Sequence, residues 1–128
     1  MPQLTSVVLK DHSNTDQTFT PKGIVSGVAT LVKSTGVPVG NHILTMSHNR
    51  TQTGREKIAV KIKVPIVQDV VVGGISRPTE VRASFADLVF TFDGTSSTAE
   101  REDALAYMKS LLATAFAQDV VVDLEDIY

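Results

Sequence analysis

The segment Lys57-Ile58-Ala59-Val60-Lys61-Ile62-Lys63-Val64 alternates branched aliphatic side chains with three lysines and an alanine. Successive side chains of a β-strand point to opposite faces of the sheet. The pattern therefore predicts a sheet with one apolar face and one face that carries ammonium groups. A cationic sheet face without catalytic side chains is typical of a platform for a polyanion, not of an enzyme pocket.

Charge is unevenly distributed along the chain, although the formal net charge is only −2. Residues 50–63 contain five cationic side chains and one carboxylate, a local charge of +4, whereas residues 100–128 contain seven carboxylates and two cations, a local charge of −5. A mildly acidic total does not exclude nucleic-acid binding when the basic groups share one face. The alternative is an ordinary soluble surface of mixed charge.

The length of 128 residues and the 42% hydrophobic composition predict a single globular domain over residues 1–128. No apolar run approaches the roughly 20 residues of a membrane span, and the N-terminus lacks the pattern of a secretory signal. We therefore expect no membrane partner. Cysteine is absent, which excludes disulfides and thiolate metal sites and suits a reducing cytosol.

Strands are predicted first along the chain and a helix last, which is typical of a segregated α+β domain. Two short strands around a polar turn, Asp11 to Asp16, predict an N-terminal hairpin, and Pro21-Lys22-Gly23 predicts a break after it. The predicted strands are Thr5–Leu9, Gln17–Thr20, Val25–Val32, Ile43–Asn49, Arg55–Pro65 and Glu80–Asp93.

The segment Gln68 to Pro78 is predicted as a loop of unusual composition, because three consecutive valines, Val70 to Val72, precede Gly73-Gly74 and Ile75. Apolar residues in a glycine-hinged loop usually require a partner that buries them, and this partner could be another chain. A strand extension that ends at the glycines explains the same residues equally well.

Phe85 is the side chain that decides how the last strand is interpreted. Phe90 and Phe92 mark one face of that strand as core, so Phe85 and Asp87 fall on the other face, together with the lysines if the strands share a sheet. An aromatic ring among cationic groups can stack on a nucleobase. Phe85 could equally be an edge hydrophobe packed on a neighbour.

A helix is predicted to begin after Ser97, because Ser97 and Glu100 match a capping box. Apolar residues then recur at intervals of three and four to about Phe116, which predicts an amphipathic helix. The tail from Asp119 to Tyr128 is left open, since Val120-Val121-Val122 favours a strand, whereas Val121, Leu124 and Tyr128 could form one helix face.

Residues for catalysis are not apparent in the sequence. The three histidines, His12, His42 and His48, have no metal-binding spacing, and no Gly-Lys-Ser/Thr follows Gly73-Gly74 to make a phosphate loop. No nucleophile is placed with a base. We therefore expect neither an enzyme nor a bound metal or cofactor; a small enzyme is a distant alternative.

Several motifs in order resemble a known family over nearly the full length. They are Gly27-Val28-Ala29, Arg55 to Pro65, Val72-Gly73-Gly74 with Pro78, Arg82 to Asp87, Phe90-Thr91-Phe92 and Tyr128. Their order and spacing resemble the coat proteins of the small single-stranded RNA bacteriophages, the leviviruses. No single element is a unique signature, but together they are specific.

The resemblance implies an α+β fold with an N-terminal β-hairpin (about 4–20), a five-stranded antiparallel sheet (about 25–93) and two C-terminal helices (about 98–127). It implies an intertwined homodimer in which two sheets join edge to edge and the helices of each subunit cross the partner's sheet. It also assigns the tail to a short second helix.

The resemblance further implies that the polar face lines the inside of an icosahedral shell and binds a hairpin of single-stranded genomic RNA. In that case Val28, Thr45, Ser47, Ala59 and Lys61 line a pocket for an unpaired adenine, Asn49, Arg55, Lys57 and Lys63 meet phosphates, and Phe85 stacks on a base beside Asp87. The chain departs from the family pattern at three positions: tyrosine is usual at Phe85, a hydroxyl residue at Ala59, and asparagine in some relatives at Asp87.

By the same resemblance, one segment contacts neighbouring dimers at the symmetry axes of the shell. It comprises Val70, Val71, Val72, Gly73, Gly74, Ile75, Arg77 and Pro78. The function expected is that of a virion capsid protein that assembles in the bacterial cytoplasm, packages RNA and represses translation. The alternative is a cellular, non-enzymatic RNA-binding sheet domain without shell assembly.

Overall fold

The computed structural model of this protein describes residues 3–128, which form six strands followed by two helices. The strands are β1 (Val7–Lys10), β2 (Asp16–Val25), β3 (Val28–Lys33), β4 (His42–Arg50), β5 (Glu56–Val72) and β6 (Ile75–Phe92), with a short 3-10 helix (Pro38–Gly40) between β3 and β4. The helices are α1 (Thr98–Leu112) and α2 (Ala115–Val121). One compact unit extends to Thr91 and a second spans Phe92–Tyr128.

The strands follow one another in the sheet in chain order, β1-β2-β3-β4-β5-β6, and the registered pairs from β1 to β5 are antiparallel. The α+β class, the antiparallel sheet and the two C-terminal helices are confirmed, but the strand count differs from the expected hairpin plus five strands. The reason is that β2 is shared: its first half pairs with β1 and its second half with β3.

The predicted break at Pro21-Lys22-Gly23 is wrong, because β2 passes through these residues to Val25. The pairing of β2 with β3 shifts between Pro21 and Gly23, so the extra residue forms a β-bulge instead of ending the strand. The chain turns later, at Ser26-Gly27, where both residues have positive φ, and β3 therefore begins at Val28 instead of Val25.

The predicted loop from Gln68 to Pro78 is also wrong, and the strand extension is the correct alternative. β5 continues to Val72 and β6 begins at Ile75, so only Gly73 and Gly74 lie between them. These glycines have φ of +61° and +82°, the conformation of a two-residue hairpin turn whose twist matches that of the flanking strands. Val71, Val72 and Ile75 are exposed strand residues in the isolated chain.

The buried core of the sheet unit consists of Phe19 on β2, Leu31 on β3 and Leu44 on β4. Leu31 and Leu44 are directly opposite each other in the β3–β4 register, so they share one face. Side chains from the N-terminal segment, β1 and β5 pack against this cluster: Leu4, Val7, Leu9, Val60 and Ile62. The apolar face is therefore partly covered by the chain's own N-terminal hairpin.

The turn between β1 and β2 is organised by Asp11. One carboxylate oxygen accepts hydrogen bonds from the backbone N–H of Ser13 at 2.9 Å and of Thr15 at 3.0 Å, and the other accepts from the Gln17 side chain at 2.9 Å. The Thr15 N–H, followed by the Gln17 amide, lowers the pKa of this carboxyl, since both stabilise the charged form. The predicted polar turn from Asp11 to Asp16 lies here.

The helical unit begins as the capping pattern predicts. The Ser97 hydroxyl accepts a hydrogen bond from the Glu100 N–H at 3.3 Å, and α1 starts at Thr98. α1 ends at Leu112, not at about Phe116, because Thr114 caps a new helix by accepting from the Ala117 N–H at 3.2 Å. α2 ends at Val121, so the expected helical range to residue 127 is too long, although the helical alternative for the start of the tail is correct.

Neither helix within residues 3–128 is long and apolar enough to cross a membrane. Within that same range α1 buries no residue, and α2 buries only Ala117. Large apolar side chains of this unit are exposed: Leu105, Tyr107, Leu111, Leu112, Phe116, Val121, Val122, Leu124, Ile127 and Tyr128. An apolar helical surface of this extent is typical of an interaction site.

Candidate nucleic-acid interface

The antiparallel register of β4 with β5 sorts the side chains of both strands onto two faces. Directly opposite residues share a face, and consecutive pairs alternate between faces. Leu44 lies opposite Ile62 on the core side, whereas Thr45 lies opposite Lys61 on the other side. The second face, here called the polar face, also contains the pairs Ser47–Ala59, Asn49–Lys57 and Ile43–Lys63.

β3 extends this arrangement by one strand. Val28 is directly opposite Ser47, and Ser47 is directly opposite Ala59, so these three residues form one row across the polar face. The sequence alone does not give the register of β3, which makes the placement of Val28 a result of the structure. It joins the residues with which the family resemblance grouped it.

These rows enclose a concavity of about 370 Å³ on the polar face. It is lined by Val28, Thr45, Ser47, Asn49, Lys57, Ala59 and Lys61. Seven of the eleven residues predicted for RNA binding therefore lie around one pocket. Asn49 and Lys57, which were predicted to meet phosphates, belong to its wall as well.

The pocket combines three kinds of group that a nucleotide requires. The methyl groups of Val28 and Ala59 give an apolar surface for a base, and the hydroxyls of Thr45 and Ser47 can both donate and accept hydrogen bonds. Lysine ammonium groups at the rim attract phosphate. A flat heterocycle carried on an anionic backbone fits this combination, as in single-stranded nucleic acid.

Phe85 on β6 lies near one lysine of β5. The residue is 72% exposed, and the Lys63 Nζ lies 6.0 Å from the centroid of its ring. This distance is that of a cation–π contact at an exposed site. The ring is therefore accessible for stacking in the isolated chain. Asp87, two residues further along β6, is exposed.

Arg55 lies in the turn that joins β4 to β5. Its N–H donates to the Thr51 hydroxyl at 3.2 Å, and its carbonyl accepts from the Thr51 N–H at 2.7 Å. The side chain is exposed next to the start of β5. Arg55 therefore extends the line of cations, Lys57, Lys61 and Lys63, toward the end of the sheet.

Glu56, the single carboxylate within residues 50–63, lies on the opposite face from these cations. Glu56 pairs with Arg50 at 2.8 Å and lies 3.9 Å from the His48 Nε2. The register places Glu56, Arg50 and His48 on the parity of Leu44, which is the core side. The positive charge of this segment is therefore concentrated on the polar face, as the alternation of the sequence predicts.

Glu80 at this interface was missed by sequence reasoning. Its Oε2 lies 3.3 Å from the Lys63 Nζ, so a carboxylate from β6 reaches the cationic row of β5. Glu80 is the first residue of the predicted strand Glu80–Asp93, and its position in the sequence gives no signal of this contact. It depends on how β6 pairs beyond the Gly73-Gly74 turn, which strand parity does not specify.

The chain combines an antiparallel sheet, which carries a cationic polar face, with two C-terminal helices, and comparison with known proteins identifies its family. The sequence pattern described as "Levivirus coat protein" matches residues 2–128. The capsid protein of Pseudomonas phage PRR1 is 38% identical over 98% of this chain and 99% of its own length. The capsid protein of Qbeta virus (strain MX1) is 27% identical over 84% and 83%.

Solved structures agree with these sequence matches. The virus-like particle of Beihai levi-like virus 21 has a TM-score of 0.86 and 25% identity over 99% of both chains. That of bacteriophage NT-214 has a TM-score of 0.88 at 21% identity, which supports the fold. This chain belongs to the levivirus coat protein family. It is therefore a structural capsid protein of the virion, which decides against the cellular RNA-binding domain without a shell.

Proposed function

We propose that this coat protein forms an intertwined homodimer, that dimers build a closed icosahedral shell, and that the polar face binds a hairpin of the single-stranded genome. Binding of that hairpin would repress translation of the message that contains it. The observation that carries the RNA assignment is the pocket of seven residues on the polar face, with its hydroxyls, methyl groups and ammonium rim.

Two uncovered apolar surfaces support the dimer. The sheet unit has an apolar groove of about 370 Å³ beside the N-terminal segment, lined by residues that include Leu4, Ile24, Ala29, Met46 and Ile58. The helical unit exposes a long series of apolar side chains. Burial of both by a second copy would remove this surface from water, at about 25 cal/mol for each Å² of apolar area. Folding and dimerisation would then be coupled.

The hairpin tip formed by the end of β5, Gly73-Gly74 and the start of β6 supports shell assembly. Its apolar residues Val71, Val72 and Ile75 are exposed in the isolated chain, and exposed apolar strand ends favour association with other chains. We assign the contacts between neighbouring dimers to the predicted segment from Val70 to Pro78. The strand geometry gives this segment a defined shape, in contrast to the predicted loop.

Within the pocket, an unpaired adenine would be held by Thr45 and Ser47 above the methyl groups of Val28 and Ala59. Lys57, Lys61 and Arg55 would contact the phosphates on either side. Phosphate contacts would supply most of the affinity and make it fall with rising salt. Stacking of a second base on Phe85 would add on the order of 1–3 kcal/mol.

Lys61→Ala tests the assignment. Lys61 lies in the pocket wall and is exposed, so its loss should weaken hairpin binding while leaving the sheet and the shell intact. Filter binding at fixed salt with an RNA hairpin that carries one unpaired adenine measures the first effect. Electron microscopy and the ratio of absorbance at 260 and 280 nm measure shell formation and packaged RNA.

Lys33→Ala is the matched control, because Lys33 lies opposite His42 on the core side of the sheet. It removes the same charge from the other face and should leave hairpin affinity unchanged at the same salt. Equal affinity of the wild type and Lys61→Ala would reject the pocket as the RNA site. Purified protein that forms no particles would reject shell assembly.

A further inference from the structure

Lys63 differs from the other lysines of β5 although the sequence pattern treats all three alike. Its Nζ lies 3.3 Å from the Glu80 Oε2 and 6.0 Å from the centroid of the Phe85 ring. Its side chain is 36% exposed, and that of Glu80 is 29% exposed. Lys57 and Lys61 are exposed and form no ion pair within residues 3–128.

The ion pair changes what Lys63 can offer to an RNA. At 3.3 Å the ammonium and the carboxylate form a pair without net charge, so a phosphate approaching Lys63 meets a carboxylate as well as a cation. Both charged groups are partly withdrawn from water. Separating Lys63 from Glu80 so that it can bind a phosphate therefore costs more free energy than binding a phosphate to a solvated lysine. The same ammonium lies over the Phe85 ring at 6.0 Å from its centroid, the outer range of a cation–π attraction, and this attraction favours one position of the ring.

We propose that Lys63 is a positioning residue for Phe85 instead of a phosphate ligand. Glu80 causes this difference, because its carboxylate pairs with the ammonium of Lys63. This inference rests on the proposed function, since it divides the RNA contacts of the polar face into two classes. Lys57 and Lys61 neutralise phosphates. The Glu80–Lys63–Phe85 group presents a stacking surface for a base and adds no charge to the electrostatic footprint.

The salt dependence of RNA affinity separates the two classes. The slope of log affinity against log salt changes by about 0.7 for each phosphate neutralised on single strands and about 0.9 on a duplex. Lys57→Met and Lys63→Met remove the same charge and retain most of the aliphatic stem, but Lys63→Met alone leaves the Glu80 carboxylate without its partner. Lys57→Met should reduce the slope by about one such step. The double variant Lys63→Met/Glu80→Gln removes the ion pair without changing the net charge, so it should leave the slope unchanged and lower affinity by the same factor at every salt concentration.

Glu80→Gln tests the partner. Without the carboxylate Lys63 becomes a free cation at the RNA face, so the slope should increase by about 0.7–0.9 and affinity should rise at low salt. Lys63→Arg should retain both wild-type affinity and wild-type slope, because a guanidinium also pairs with a carboxylate and stacks on an aromatic ring. Loss of affinity in Lys63→Arg equal to that in Lys63→Met would contradict the positioning role.

A double-mutant cycle with Phe85→Leu tests the coupling of Lys63 to the ring. Removal of the aromatic stack should weaken hairpin binding by roughly 5- to 150-fold. The double variant Lys63→Met/Glu80→Gln should then have little further effect in the Phe85→Leu background, because the ring that the pair positions is absent. Additive losses would overturn the proposal.

The outcomes distinguish this proposal from the proposed function. If the double variant Lys63→Met/Glu80→Gln reduces the salt slope as much as Lys57→Met does, Lys63 is a phosphate ligand and only this inference fails. If neither Lys57→Met nor Lys61→Ala alters binding of the hairpin, the polar face is not the RNA site and the proposed function fails with it. Filter binding with one hairpin RNA at four or more salt concentrations provides all the measurements.

Discussion

If the pocket holds a base as proposed, Ala59 is a position at which one larger side chain should block it. Ala59 is half-buried on β5 and lies directly opposite Ser47. Thr45 and Lys61 form the neighbouring pair on the same face. Ala59→Val adds two methyl groups at the pocket wall, in the space between Val28 and the hydroxyls. Valine is favoured in strands, so the sheet should tolerate the change.

The expected loss follows from the two hydroxyls that the added methyl groups would screen from a base. A hydrogen bond to an uncharged group contributes about 0.5–1.5 kcal/mol net, so losing those of Thr45 and Ser47 costs about 1–3 kcal/mol. This corresponds to a 5- to 150-fold larger dissociation constant for a hairpin with an unpaired adenine. The salt dependence should not change, because no charge is removed.

Ala59→Ser is the matched variant, since it adds a hydroxyl of small volume where Ala59 has none. It should tighten binding of the same hairpin by about 2- to 12-fold, the equivalent of one net hydrogen bond. A fully paired hairpin of equal length should bind all three proteins equally, because it offers no base to the pocket. Weakening of both RNAs by Ala59→Val, or no weakening of either, would refute this account of the pocket.

Three further predictions concern the fold and the assembly. Leu31 is 1% exposed, so Leu31→Ala should lower the free energy of unfolding by about 2–5 kcal/mol. The control Val25→Ala, at a residue that is 75% exposed, should change it by no more than about 0.5 kcal/mol. Denaturant titrations at fixed protein concentration measure both values. Deletion of Gly73-Gly74 should leave dimers in size exclusion but no closed shells in electron microscopy, because the turn requires two residues with positive φ. The control Gly73→Asn should retain shells, since asparagine tolerates this conformation. Normal shells from the deletion variant would contradict the assignment. Asp11→Asn should be less stable than the wild type above about pH 4, and the difference should vanish as pH falls through the lowered pKa of Asp11. The reason is that a carboxyl with a lowered pKa stabilises the folded state only while it is ionised. A difference in denaturation midpoint that does not depend on pH would contradict this prediction.

Much of the interface could be predicted from strand parity because the side-chain period of a strand is two. That period places Lys57, Lys61 and Lys63 on one face whatever the sheet pairs with. The family resemblance added Val28 and Ser47, and the observed register brings both to the pocket. The role of Lys63 could not be predicted, because its partner Glu80 comes from another strand and their contact depends on pairing, not on periodicity.

The errors in the fold have a common cause. Pro21 and Gly23, like Gly73 and Gly74, are residues that usually end strands, and the sequence offers no measure of whether neighbouring strands continue across them. In the sheet, a bulge absorbs the first pair and a two-residue turn uses the second. The end of α1 was misplaced for a related reason, because Thr114 begins a new helix within an apolar pattern that continues.

The sequence by itself determined the two-faced sheet, the cap at Ser97 and the concentration of positive charge in one strand, because alternation and capping are local properties of the chain. Only the tertiary structure decided which residues meet across strands: the row Val28–Ser47–Ala59, the path of β5 and β6 to their glycine turn, and the ion pair of Lys63 with Glu80. Register is a property of two strands at once, and a slip of one residue moves every side chain to the opposite face.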